Sequence, residues 1–132
     1  MAWVVDTCVL LDIHCADPHF AQSSADCLTA HLSDGLVISP ITYAELAPAF
    51  GGNMKLQEQF LMEVGVDWPS QWLLQDTIKA YRLWFSHIEK KRSGSETKRP
   101  IADMFISAFA QRFKGLITRN ARDFSAVQVI VS

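Results

Sequence analysis

Ala2-Trp3-Val4-Val5-Asp6-Thr7 places four apolar residues against a polar pair at the very start of the chain. Trp and paired Val favour an extended, pleated backbone, and a short apolar run without alternation is the pattern of a strand covered on both faces. That strand ends at Asp6. The same grammar returns at Leu36-Val37-Ile38, followed by Ser39-Pro40, and at Leu116-Ile117-Thr118, followed by Arg119-Asn120. Between these strands the apolar spacing turns helical. Phe20, Ala21, Ala25, Leu28 and Leu32, with Asp17 as cap, Pro18 at the first helical position and Asp34-Gly35 as stop, predict a helix over 17–32. Ser39-Pro40 opens a helix through Tyr43, Glu45 and Leu46, and Gly51-Gly52 separates it from another over 54–64. After Trp68-Pro69-Ser70, a long helix is marked by Leu74, Ile78, Tyr81, Phe85 and Ile88. A last helix is predicted over 100–113 and a last strand over 127–131. Strands separated by helices require right-handed crossovers, so the expected fold is an α/β three-layer sandwich, a mainly parallel sheet flanked by helices.

The chain has 132 residues, 49% apolar and 20% charged, which is the size and balance of one domain (1–132) with a core of its own. Asp6, Asp12, Asp103 and Ser107 interrupt the apolar runs, so none has the roughly 18 residues that a membrane span needs. The first basic residue is Lys55, so no secretory leader is expected and the expected location is the cytoplasm. Cys8, Cys15 and Cys27 are odd in number and form no CxxC pair, which suits small buried hydrophobes better than disulfides or zinc. Net charge is only −2, but the two parts of the chain differ sharply. Residues 1–78 carry ten acids against the single base Lys55, a net of −9, whereas residues 79–132 carry eleven bases against four acids, a net of +7. Either a basic surface faces a polyanion, or the two parts interleave in space and cancel.

In an open parallel sheet, ligands sit beyond the carboxyl ends of the strands, where Asp6 and Thr118-Arg119-Asn120 fall. Asp6 also has an ordinary reading as a cap on the following turn, Thr7-Cys8-Val9-Leu10. Glu45 has Ile41, Pro48 and Ala49 as helical neighbours, an apolar face on which a carboxylate needs a partner. With Lys55 the one nearby cation in sequence, coordination of a metal gains weight beside a salt bridge. Pro48 should bend that helix. Asp103 stands early in its helix, where an acid also serves the helix dipole, and Asp123 follows the Thr118 strand end, where it also reads as a turn residue. These four acids converge in this topology, and an oxygen-only pocket suits Mg²⁺ or Mn²⁺.

Four ordered blocks carry a more specific signal: V-V-D-T-C-V-L-L-D at Val4 to Asp12, S-P-I-T-Y-A-E-L at Ser39 to Leu46, I-A-D-M-F-I-S-A-F-A at Ile101 to Ala110, and G-L-I-T-R-N-A-R-D-F at Gly115 to Phe124. In that order and spacing the chain resembles PIN-domain nucleases, and among them the VapC-type ribonuclease toxins of toxin–antitoxin pairs. The resemblance implies that Asp6, Glu45 and Asp103 form an acidic metal site, with Thr7 and Thr118 as nearby hydroxyls. In such proteins the last block often has a fourth acid two residues after the Thr, where this chain has Asn120; either Asp123 or the neutral oxygen of Asn120 takes that place. The implied activity is endoribonuclease hydrolysis by a metal-activated water, with an RNA substrate, a cognate antitoxin and a homodimeric state as the implied partners.

Two other readings compete with it. A haloacid-dehalogenase-like phosphatase also has an Asp after its first strand, but its D-x-D pattern is broken here by Cys8. A catalytically degenerate PIN-like module that binds RNA or protein draws support from Asn120. Independently of the resemblance, Lys90, Lys91, Arg92, Lys98 and Arg99 immediately precede the helix that carries Asp103, a placement suited to gripping RNA phosphates beside the acids, although a solvated loop has the same composition. His14, His19, His31 and His87 have no ligand spacing, and the helical spacing of Trp68, Trp72, Trp84 and Phe85 favours packing over base stacking.

Overall fold

The computed structural model describes residues 1–94, 101–124 and 128–132, with Asp123 described by its backbone only. In chain order its elements are β1 (Trp3–Val5), α1 (Thr7–His14), α2 (Ala21–His31), β2 (Leu36–Val37), α3 (Pro40–Glu45), α4 (Met54–Glu63), β3 (Val66–Asp67), α5 (Leu74–Arg92), α6 (Ile101–Ala110), β4 (Gly115–Thr118) and β5 (Val129–Val131). All strand pairs are parallel, in the order β3-β2-β1-β4-β5. The register sets Trp3 opposite both Leu36 and Gly115, and Val5 opposite Ile117. From β1 the chain first builds toward β3, then returns to add β4 and β5 on the other side. The direction of construction therefore reverses between β1 and β4, the position at which an open parallel sheet forms a ligand crevice.

The period of two along each strand divides the core into two layers. Val5 and Ile117 face one side with Trp3, Val9, Leu10, Leu28, Leu46 and Leu61. Val4 and Leu116 face the other with Ile106, Phe109, Ala110 and Phe124. This is the expected three-layer sandwich. Gly115 permits its tight centre, since a Cβ there would lie against the Gln128 carbonyl oxygen and 2.6 Å from Trp3 Cζ3. Trp72 stacks on Phe109 with ring planes 5° apart, which confirms a packing role for that Trp. No helix among the described residues is long and apolar enough to cross a membrane.

Several local expectations are corrected. The helix predicted over 17–32 begins at Ala21, because the Asp17 carboxylate instead accepts from the N–H groups of His19 (2.8 Å) and Phe20 (3.0 Å) and closes a turn around Pro18. Ser39 does cap α3, accepting from Thr42 N–H at 3.1 Å, with Pro40 in its first turn. Pro48 does not bend α3; the α-helix ends at Glu45 and a 3₁₀ turn over Ala47–Phe50 follows. Helix α1 and the two-residue strand β3 are additions that the apolar pattern does not predict. The cysteines are all free, but Cys15 is exposed rather than buried.

Among the described residues, three cations of the basic part of the chain are seen to pair with acids of the acidic part. Arg112 forks onto fully buried Asp76, with Nε 2.7 Å from Oδ1 and Nη2 2.8 Å from Oδ2. Arg119 forks onto buried Asp12 at 2.8 and 2.9 Å, and Lys114 Nζ lies 3.3 Å from Asp34. Part of the charge asymmetry is therefore neutralised inside the fold.

Asp76 also accepts from Leu73 N–H at 2.9 Å, and Arg112 donates to the Gln71 carbonyl. Burial by itself would raise the Asp76 pKa, but the Arg112 hydrogen bonds, the Leu73 N–H and the Arg112 charge together hold it below the ordinary carboxylate value. A lowered pKa stabilises the fold above the unfolded-state value of about 4, and that contribution is lost as the pH falls through the folded-state value. Arg112→Ala, which strands the buried carboxylate, is expected to cost about 3–5 kcal/mol in thermal or urea unfolding. The loss should shrink as the pH falls from the unfolded-state value of about 4 toward the lower folded-state value, where Asp76 protonates. A loss under about 1 kcal/mol at neutral pH would mean that the pair is no more than a surface contact.

Candidate active site

At the crevice between β1 and β4, Asp6 is strand end, helix cap and buried acid at once. Its N–H donates to the Ile117 carbonyl at 2.9 Å, which continues the β1–β4 ladder by one step. Its backbone then stays extended (φ −73°, ψ 151°), and Oδ1 accepts from Thr7 N–H at 2.8 Å to cap α1. Oδ2 accepts from Thr118 Oγ1 at 2.7 Å and from the Cys8 thiol at 3.3 Å. Each of these three donors is neutral.

Thr7 connects Asp6 to the second acid. Its N–H holds Asp6, and its hydroxyl donates to Glu45 Oε1 at 2.7 Å while lying 3.0 Å from Thr42 Oγ1. Glu45 comes from the last turn of α3, and Thr42, three residues earlier on the same helical face, is fully buried beneath it. The expectation that Glu45 lies desolvated on an apolar face is corrected: the residue is exposed, and it accepts from a hydroxyl rather than from a cation. Because α3 ends at Glu45 instead of running on toward Pro48, the side chain projects past the apolar face.

Asp103 lies in the first turn of α6, half-buried, on a helix packed against α3. Asn120 is exposed, and its N–H donates to Thr118 Oγ1 at 3.1 Å, so the residue after Arg119 is tied to the hydroxyl that holds Asp6. The Asp123 side chain, Lys98 and Arg99 lie outside the described residues. Lys90, Lys91 and Arg92 form the exposed last turn of α5, where Arg92 makes a surface pair with Glu89 at 3.7 Å. The structure thus joins Asp6, Thr7, Glu45 and Thr118 in one hydrogen-bonded chain. Among the described residues, no three His, Cys, Asp or Glu side chains form a group able to hold a metal.

Sequence reasoning overlooked Thr42 and Cys8 as members of this site. Helical spacing from Glu45 was the signal for Thr42, whereas Cys8 faces Asp6 only because α1 starts where it does. Burial, then the Asp6 charge, pushes the Cys8 thiol up to about 11, so it remains a protonated donor at neutral pH and not a thiolate ligand. His14 stacks on Phe50 with centroids 4.0 Å apart, a packing role as expected.

The family model described as "PIN domain" matches residues 3–130. No curated protein sequence matches the chain significantly. Among solved structures, VapBC2 from Rickettsia felis bound to a DNA fragment from their promoter contains a chain with a TM-score of 0.71 and 16% sequence identity, the match covering 99% of this chain and 98% of that one. At that identity the likeness shows a shared fold.

The thiol chemistry separates two cysteines of the same region. At pH 8, iodoacetamide is expected to modify exposed Cys15 while sparing Cys8 in the folded protein, with peptide mass spectrometry locating the adducts. Denaturation should equalise them. Equal labelling in the native state would mean that Cys8 is not held against Asp6.

Proposed function

The chain belongs to the PIN-domain family, whose members are generally nucleases, and from that membership we propose that it is a metal-dependent endoribonuclease, the toxin of a toxin–antitoxin pair. The observation that carries this reading is the hydrogen-bonded link from Asp6 through Thr7 to Glu45 at the β1–β4 switch point. It puts a buried carboxylate and an exposed one side by side at the position where ligands bind a parallel sheet.

The donor chemistry suits a hard divalent cation, Mg²⁺ or Mn²⁺, because Asp6, Glu45 and Asp103 offer oxygens alone, and Mg²⁺ takes only one or two protein carboxylates beside water and substrate phosphates. Asp6 and Asp103 would hold it, with Glu45 next to them and the Asn120 carboxamide or Asp123 completing the set. When bound, such a cation offsets charge developing on the phosphodiester and makes a water easier to deprotonate. The protein's own part is divided between environments. Thr7 N–H, Thr118 and Cys8 keep Asp6 oriented. Glu45, in contact with solvent, is placed to orient a water and take its proton. Lys90, Lys91 and Arg92 at the end of α5, with Lys98 and Arg99, would hold the RNA strand.

The VapBC2 likeness supports an antitoxin partner, and a homodimer in the cytoplasm completes the reading. Asn120 favours one second reading, a module that binds RNA without cutting it.

Cleavage separates these readings. Purified protein is expected to cut single-stranded RNA with Mg²⁺ or Mn²⁺, to stop in excess EDTA, and to lose about 100-fold or more of its rate in Asp6→Asn or Asp103→Asn. Full activity in chelator sinks the metal-dependent reading, and RNA binding without cleavage favours the module. Comparing Asn120→Ala with Asp123→Asn assigns the fourth position.

Neutralising Lys90, Lys91 and Arg92 together should weaken RNA binding to a similar degree across sequences and flatten the salt dependence by about 0.7 to 1 unit for each phosphate no longer held. Thermal stability should not change, since these side chains are exposed. Unchanged affinity and slope would assign this cluster to another partner.

A further inference from the structure

Beyond Thr118 the chain turns through Arg119, Asn120, Ala121 and Arg122 around a cavity of about 350 Å³. It lies just past the carboxyl end of β4, whose last residue, Thr118, donates its hydroxyl to Asp6. Its lining is guanidinium, carboxamide and one methyl group. Three further cavities among the described residues are of a different kind, lined in part by Leu28, Leu32 and Met62; by Tyr43, Met54 and Trp68; and by Phe50, Leu56 and Phe60.

Arg119 is fixed within this wall. Nε and Nη2 fork onto Asp12, itself 4% exposed, and the guanidinium carbon lies 4.5 Å from the centre of the Phe20 ring. Both bonds leave Nη1 uncommitted among the described residues, so the group presents N–H donors in a fixed plane. Half-buried Asp17, whose pKa is lowered first by the His19 N–H, also lies near enough for the Arg119 charge to add to that lowering. The net charge of Arg119 is therefore balanced by Asp12 and Asp17. Arg122 differs: it is exposed and has no ion pair among the described residues, so it supplies the uncompensated positive charge of the cavity.

We propose that this cavity binds a backbone phosphate of the RNA strand beside the one being cut, with Arg122 as the ion partner and Arg119 Nη1 and the Asn120 carboxamide as further donors. The proposal rests on the ribonuclease reading and names how that substrate is gripped at the site itself. A phosphodiester is singly charged, presents two non-bridging oxygens and suits one mobile guanidinium plus a fixed fork. A fixed donor also loses little side-chain entropy when the strand binds. The position explains the use of two arginines so close to carboxylates: Asp6 and Glu45 repel a polyanion, and the counter-charge sits one turn of chain beyond Thr118.

The test uses the full chain and a fluorescently labelled single-stranded RNA oligonucleotide, with anisotropy read in EDTA from low to moderate KCl and cleavage read separately in Mg²⁺. Arg122→Gln is expected to bind about tenfold more weakly, with the salt slope reduced by about 0.7 to 1. In cleavage, KM should rise while kcat holds within a few-fold. Its melting curve should overlay that of the parent, and Arg122→Lys should restore part of the affinity. If the parent cuts RNA but Arg122→Gln binds it with unchanged affinity and slope, the phosphate site is overturned and the nuclease reading stands. If the variant instead loses only its hold on a co-purifying protein, the cavity serves that protein and the proposal is likewise overturned. A parent that neither binds nor cuts RNA fails the ribonuclease reading, and this proposal with it.

Discussion

The structure hangs on the parallel ladder between β1 and β4 and on the residue that ends it. Asp6 N–H completes the ladder on the Ile117 carbonyl, and the Asp6 carboxylate then starts α1 and receives the Thr118 hydroxyl from the neighbouring strand. Two distant stretches are thereby locked in register at the point where the sheet changes its direction of construction. A buried carboxylate is costly without partners, and here an amide, a hydroxyl and a thiol face it. These bonds orient the carboxylate oxygens from two strands and a helix start at once. Titratable groups set in such surroundings concentrate at functional sites.

The acidic and basic parts of the chain are reconciled by folding in two different ways. Asp12, Asp34 and Asp76 take Arg119, Lys114 and Arg112, so cations from the later part of the chain neutralise acids from the earlier part. What remains is informative by subtraction. Lys91 and Arg122 stay exposed with no ion pair among the described residues, and Asp6 and Glu45 stay at the sheet crevice with hydroxyl partners. Positive charge is thus left over on the surface, and an anionic strand approaching the carboxylates has cations to meet on the way.

How much of this was legible depends on the range of each interaction. The ends of β1, β2 and β4 were readable because apolar runs stop abruptly at Asp6, Ser39 and Thr118, and a parallel sheet then dictates where those residues gather. Helix α1 was not, since Val9, Leu10 and Leu11 continue an apolar run whose helical or extended nature periodicity alone does not decide. Strand β3, only Val66–Asp67, is too short to leave a pattern. The correction at Asp17 is chemical: an Asp before Pro18 satisfies the next N–H groups in a turn as readily as in a helix. The ion pairs were invisible because Asp76 and Arg112 are 36 residues apart and Asp12 and Arg119 are 107 apart. Only the finished fold distinguishes an arginine held by a buried acid, such as Arg112, from one left facing solvent, such as Arg122.

Thr7 sets the relation between the two acids. One residue supplies the N–H that holds Asp6 and the hydroxyl that holds Glu45, so the separation of the carboxylates follows from the geometry of a single threonine at the start of α1. Thr42, fully buried next to that hydroxyl, and Ser39, which caps α3, fix the helix that delivers Glu45. The two carboxylates consequently live in different environments although they share a neighbour. Asp6 is buried under an amide, a hydroxyl and a thiol, whereas Glu45 is exposed to water. Separated environments are what allow one of two like groups to keep its charge while the other moves a proton. In the proposed hydrolysis the first role belongs to Asp6 and the second to Glu45, an assignment that rests on the burial of the one and the exposure of the other.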